Sequence, residues 1–263
     1  MLSLCMPRSR LAALIIAAAL FTGLAVALPA QAAPLTTSER EAIEAVIKDY
    51  LLKNPEVLRD ALIELERRAS AEESGKRTEA LKNNKALIFD SPRGVVLGNP
   101  KGDVAVVEFF DYNCGYCKRA LTDMTELIKA DPKVKFVLKE FPVLGPSSLD
   151  AARVAIALRM QDKDGAKYLD FHRRLLSVRG EANRERALAA AKDAGADMAR
   201  LEKDLASPEI RATLEESGKL AEALGIGGTP SYVIANEVIP GAVGFNTLKK
   251  KVDAVRKCGM ATC

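Results

Sequence analysis

The sequence predicts an α/β fold: a sheet with an inserted all-helical subdomain, preceded by an N-terminal helical extension. Three observations carry that expectation. "VAVVEFF", Val104 to Phe110, is a near-continuous apolar run, as expected of a strand buried on both faces. A helical pattern from Cys117 and a second apolar run, "KVKFVLKEF", follow it, so the three make a strand–helix–strand unit with a right-handed crossover. Residues 146–225 then carry helical apolar spacing in segment after segment, far more chain than the roughly dozen residues a plain crossover needs.

The chain has 263 residues, enough for one large domain or one ordinary domain with an appendage. Apolar residues make up 48% and charged residues 28%, a composition that supports a core. There is no Trp and a single His, His172, so His-rich metal or catalytic sites are excluded. Residues 1–32 read as a secretory signal peptide: Arg8 and Arg10, an apolar stretch from Leu11 to Leu28, then Ala30-Gln31-Ala32 as a small-x-small cleavage site. Cys5 leaves with it. The mature chain then works in an oxidising, extracytoplasmic compartment and keeps Cys114, Cys117, Cys258 and Cys263. Loss of the two arginines takes the formal charge from +4 to +2, too weak a balance for a nucleic-acid partner.

Residues 33–68 are read as a helical segment. Ser38 and Glu41 fit a capping box. Ile43, Val46, Ile47, Tyr50 and Leu51 recur at helical spacing. Asn54-Pro55 starts a second helix, with Val57, Leu58, Ala61, Leu62 and Leu65 along one face. These stripes must be covered, either by the chain's own domain or by the same segment of other subunits. Residues 69–85 are polar apart from Leu81 and read as a linker, helical or flexible. From residue 86 to 263 the pattern is that of a mixed domain. "ALIFD" and "GVVLG" are expected as short strands, "SYVIA" and "EVIPG" as a strand pair turning at Asn236-Glu237, and 245–257 as a closing helix.

The chemistry centres on "EFFDYNCGYCKRAL". Cys114 and Cys117 are two residues apart at a strand-to-helix junction, which puts the first sulfur at a helix N-terminus and favours its thiolate. Cys114 is then expected as the exposed nucleophile and Cys117, one turn in, as the buried resolving thiol. A structural disulfide would close too short a loop to constrain much chain, and a metal site would need Cys258 and Cys263 as well. Downstream, "GIGGTPSYVIA" sets Thr229-Pro230 directly before a strand, in a tight loop suited to a cis bond. Glu108 sits inside the apolar run, six residues before Cys114. Burial would raise its pKa, and a carboxyl there could relay the proton that Cys117 must lose. Cys258 and Cys263, five apart at the C-terminus, suit a local disulfide that clips the tail; a second redox centre or metal-handling pair stays open. His172, in "YLDFHRRLL", reads as a packed or surface helix residue.

Taken together, "VVEFFDYNCGYCKRAL", "KEFPVLGPSSLDAARVAIA", the helical insertion and "GTPSYVI" resemble the DsbA-like branch of the thioredoxin superfamily over roughly residues 95–257. The helical extension further resembles the ScsC group, the suppressor of copper sensitivity proteins. That resemblance implies a thioredoxin-like sheet, Cys114 as attacking thiolate, Cys117 as resolving thiol and an acidic residue at the place of Glu108. It implies that Pro230 is the cis-proline, that Thr229 contacts the substrate backbone, and that Gly115 and Tyr116 set redox poise. The best-known dithiol oxidase of the family has Pro-His between its cysteines; here no His stabilises the thiolate, so a less oxidising pair is expected. The implied protein is a periplasmic thiol–disulfide isomerase or reductase without a cofactor or resident metal. Its partners would be cysteine-containing secreted or periplasmic proteins, a membrane-bound redox partner, and further copies of itself in a homo-oligomer such as a trimer. A monomeric dithiol oxidase and a copper(I)-binding thiol protein are the alternatives.

Overall fold

The computed structural model describes residues 35–263, so the signal-peptide reading lies outside the described residues. The chain divides into two compact units, one ending at Leu62 and one running Ile63–Cys263.

In the first unit, α1 (Thr37–Lys53) is capped by Thr36. Its hydroxyl accepts from the Glu39 N–H at 3.3 Å while the Glu39 carboxylate accepts from the Thr36 N–H at 2.8 Å. The capping box is therefore Thr36/Glu39 and not Ser38/Glu41. Both pairs satisfy the pattern, and the earlier one adds half a turn of helix at no cost. Asn54 ends α1, and Pro55 opens α2 (Pro55–Asn83), where its missing N–H is no loss. No residue of α1 is buried, and Ile43, Val46, Ile47 and Tyr50 are all exposed.

In the second unit α2 continues without a break to Asn83, so 69–83 is helical. Leu81 is buried, and the Arg77 Nε–H donates to the Leu224 carbonyl at 3.1 Å. The "ALIFD" run is not a strand but a short helix, α3 (Lys85–Phe89). Short apolar runs do not distinguish the two states, and a single helical turn suffices to drive Ile88 fully into the core.

The sheet comprises β1 (Val95–Gly98), β2 (Val104–Phe110), β3 (Val134–Glu140), β4 (Ser231–Ile234) and β5 (Glu237–Pro240), in the order β1-β3-β2-β4-β5. β2 and β3 are parallel, joined by α4 (Gly115–Ala130); the other pairs are antiparallel. The last hairpin turns at Ala235-Asn236, one residue earlier than the sequence suggested, because Ile234 pairs with Glu237. Asn236 instead uses its side chain to accept from the Ala261 N–H.

Between β3 and β4 lie α5 (Pro146–Arg159), α6 (Ala166–Leu176), α7 (Arg184–Asp193), α8 (Met198–Asp204) and α9 (Pro208–Ala223); α10 (Phe245–Cys258) closes the chain. Strand alternation splits the core in two. Val106 and Phe110 pack with Met124, Leu127, Tyr168, Phe171, Leu248 and Val252 on one face. Val107 and Phe109 pack with Ile88, Leu220, Leu224 and Val233 on the other. Glu108 alternates with Val107 and Phe109 and so shares the face of Val106 and Phe110.

Candidate active site

β2 ends at Phe110, and the three residues Asp111-Tyr112-Asn113 carry the chain to Cys114, the N-cap of α4. Cys114 has extended backbone angles, and its carbonyl accepts from the Lys118 N–H at 3.1 Å, the first bond of the helix. Its sulfur therefore sits where the first-turn N–H groups of α4 have no intrahelical partner. Gly115 and Tyr116 follow at the exposed start of the helix. Tyr116 is 58% exposed, with the Arg119 guanidinium 4.4 Å from its ring centre.

Both thiols are free. Cys114 is 6% exposed and Cys117 1%, so the expected exposed nucleophile is itself largely covered. The cover comes from the loop before β4: the Cys114 thiol donates to the Thr229 carbonyl at 3.1 Å, and the Thr229-Pro230 bond is cis. A residue remote in sequence thus lies against the Cys114 sulfur. Cys117 faces inward, and burial, reinforced by the charge of Glu108, pushes its thiol well up. Glu108, 4% exposed beneath the pair, is pushed up to about 8 by burial first, then by the charges of Asp123 and Cys114. At neutral pH it is mainly the neutral acid.

Side chains that the sequence reading passed over hold this arrangement. Asp111 accepts from the Asn113 N–H at 2.7 Å and from the N–H groups of Val143 and Leu144 at 2.8 and 3.0 Å. The Asn113 side chain accepts from the Ala182 N–H at 2.7 Å and donates to Ser148 Oγ at 3.0 Å. Two of the three residues before Cys114, Asp111 and Asn113, are thereby bonded to the β3–α5 loop, to the start of α5 and to the α6–α7 loop. Only their position next to Cys114 could have singled them out. Beside them a buried polar chain runs from Glu140 through the hydroxyls of Tyr168 and Tyr112 to His172 Nδ1. His172 is pushed down to about 3 by burial, so it is a neutral packing member of this chain. At the C-terminus Cys258 and Cys263 are joined by a disulfide. Among the described residues no group of three or more His, Cys, Asp or Glu side chains is placed to hold a metal ion, and no helix is long and apolar enough to cross a membrane.

A free dithiol at a helix start, faced by a cis-proline loop and underlain by a buried acid, defines a thioredoxin-type thiol–disulfide exchange site. Comparison with known proteins agrees. Residues 105–253 match the DSBA-like thioredoxin domain, and the chain belongs to that family. Residues 39–72 match the copper resistance protein ScsC N-terminal domain. A thioredoxin-like oxidoreductase from Silicibacter pomeroyi DSS-3 is 44% identical, with a TM-score of 0.63, over 66% of this chain and 99% of that one. Proteus mirabilis ScsC in a transitional conformation is 26% identical, with a TM-score of 0.59, over 82% of this chain and 95% of that one. The probable disulfide bond formation protein D of Bacillus cereus is 26% identical over 65% of this chain and 82% of its own length. The chain spans only 25% of the length of another curated relative, the Na(+)/H(+) antiporter NhaA 1 of Salinispora arenicola, at 26% identity.

Proposed function

We propose that the protein is a periplasmic disulfide isomerase and reductase that acts on misbonded secreted proteins as a homo-oligomer. The observation that carries the chemistry is the Cys114 thiol held against the Thr229 carbonyl, with Glu108 below the pair. The Cys114 thiolate attacks a substrate disulfide, forming a Cys114–substrate bond and releasing the other substrate sulfur as thiolate. The substrate backbone lies against Thr229 and Pro230, beside Gly115 and Tyr116. In reduction, Cys117 attacks Cys114 Sγ: the Cys114–Cys117 bond forms, the substrate sulfur departs with the electron pair, and the Glu108 carboxylate takes the Cys117 proton. In isomerisation a second substrate thiolate attacks the mixed disulfide and regenerates the Cys114 thiolate, with no net redox change. Reduction leaves an oxidised enzyme, which a membrane-bound dithiol donor would reset.

The exposed apolar residues of α1 and the match of 39–72 to an ScsC N-terminal domain support assembly through the extension. As for copper(I), the Cys258 and Cys263 sulfurs are engaged with each other, which leaves Cys114 and Cys117 as the available thiols among the described residues. The test of the catalytic reading is a trapping experiment. Cys117→Ser incubated with a disulfide-linked peptide should accumulate a covalent adduct at Cys114, seen by intact mass and released by reductant. Cys114→Ser should accumulate none. An adduct carried by Cys114→Ser, or turnover unchanged in that variant, would overturn the assignment.

A further inference from the structure

Tyr232 lies on β4 directly opposite Glu108 on β2. Residues facing each other across an antiparallel pair project from the same side of the sheet, and Tyr232 packs in the same core cluster as Val106 and Phe110. It is completely buried, and its hydroxyl has no hydrogen-bond partner among the described residues. A phenylalanine would fill that space without a stranded hydroxyl. The groups whose charges reach this hydroxyl are Glu108 from β2 and Cys117 and Asp123 from α4. Cys114, the N-cap of α4, bears on Glu108. From β3 the neighbour of Glu108 is Leu138, and from α10 the Phe245 N–H donates to Asp123 at 2.9 Å. None of these groups is a cation. Burial and negative charge act on Glu108, and among the described residues no hydrogen bond does. A carboxylate formed there faces an uncommitted side-chain donor across the sheet, the Tyr232 hydroxyl.

We propose that Tyr232 is a positioning residue for proton transfer, its hydroxyl donating, directly or through one water, to the Glu108 carboxylate that exists while Cys117 holds the proton. In the reduced state the hydroxyl is without a partner among the described residues, and Glu108 is then mainly the neutral acid, a weaker acceptor than its carboxylate. During resolution the Cys117 S–H bond breaks as the Cys114–Cys117 bond forms, and the proton moves to the carboxylate that Tyr232 stabilises. In the opposite direction a substrate thiolate attacks Cys114, Cys117 leaves as thiolate, and Glu108 returns the proton to it. Tyr232 thus sets the pH at which Glu108 switches between acceptor and donor. The inference rests on Glu108 being the Cys117 proton carrier.

The test compares the full mature chain with Tyr232→Phe and Glu108→Gln. One readout is the Glu108 carboxyl titration, followed by ¹³C NMR. The other is the single-turnover rate of reduction of a disulfide peptide from pH 6 to 10. Tyr232→Phe should raise the Glu108 midpoint by about one pH unit, slowing resolution about tenfold at pH 7 and little at pH 10. Its thermal stability in the reduced state should equal or exceed that of the parent, since only an unpaired hydroxyl is lost. An unchanged midpoint and pH profile in Tyr232→Phe, with Glu108→Gln altering the profile, would overturn the role of Tyr232 alone. A profile unaltered by Glu108→Gln would instead remove the proton-carrier reading, and this inference with it. A Tyr232→Phe variant that loses stability at every pH without moving the midpoint would make the hydroxyl structural and also contradict the inference.

Discussion

At the scale of the residue, Glu108 makes the protein store an electrostatic cost under its own active site. Its ordinary value is 4.5, and burial takes it to about 8 in the fold. Below pH 4.5 both folded and unfolded chains carry the neutral acid, and nothing is lost. As pH rises from 4.5 to about 8 the unfolded chain releases this proton and the folded one keeps it, so stability falls over that window and then levels off. Glu108→Gln should therefore stabilise the reduced protein at pH 8, by on the order of a few kcal/mol, and leave it unchanged at pH 4. Thermal unfolding at the two pH values checks this; an equal gain at both would assign the effect to packing. His172 works with the opposite sign. Its buried imidazole, ordinarily 6.5 and here about 3, stays neutral while the unfolded chain takes up a proton, so stability is lost as pH falls from 6.5 towards 3. His172→Gln should flatten the acid limb of a pH–stability curve, while a limb unchanged in shape would count against a buried neutral imidazole.

At the scale of the element, the two faces of the sheet are held differently. The face under α9 contains a buried ion pair: Lys139, 1% exposed on β3, donates to Glu216 at 2.8 Å and to the Leu87 carbonyl. Arg93 bonds the second Glu216 oxygen at 3.2 Å. Removing one partner strands the other, so Glu216→Gln should cost about 3–5 kcal/mol in denaturant unfolding. A cost below about 1 kcal/mol would mean that water replaces the carboxylate. Lys139 also marks where sequence reading stops. The apolar runs of β2 and β3, the helix after Cys117 and the helical insertion were all legible, because each is a local pattern of period two or near 3.6. The dithiol and Thr229-Pro230 were legible too, as short local motifs. Lys139 lies in a run that reads simply as a strand, "ALIFD" reads as a strand, and Asp111, Asn113 and Tyr232 carry no local signal. The roles of Lys139, Asp111, Asn113 and Tyr232 arise from partners between 32 and 124 positions away, such as Val143 for Asp111 and Glu108 for Tyr232. Register and packing, not local spacing, create those contacts.

At the scale of the whole molecule, the chain divides into its two compact units between Leu62 and Ile63, inside the span of α2. A cut at residue 85 would remove Leu81 from the core and Arg77 from the Leu224 carbonyl, whereas the compact unit begins at Ile63. A chain starting at Ile63 should fold, be monomeric by light scattering, and still exchange thiols with a small disulfide peptide at a rate within about twofold of the full mature chain. Inactivity towards the peptide would place part of the site in the extension. In the full chain, Ile47→Glu puts a charge on the exposed apolar face of α1 and should shift the protein towards monomer with no loss of thermal stability in the catalytic unit; an unchanged mass would assign that face another partner. The measurement that bears most directly on the proposed function is recovery of native ribonuclease from its scrambled, disulfide-mismatched form, with the particle mass recorded on the same sample. An oligomer that restores activity is expected, with recovery abolished by Cys114→Ser and strongly reduced in the chain starting at Ile63. A monomer that fails to rescue scrambled ribonuclease but rapidly oxidises the reduced enzyme would contradict the proposed function.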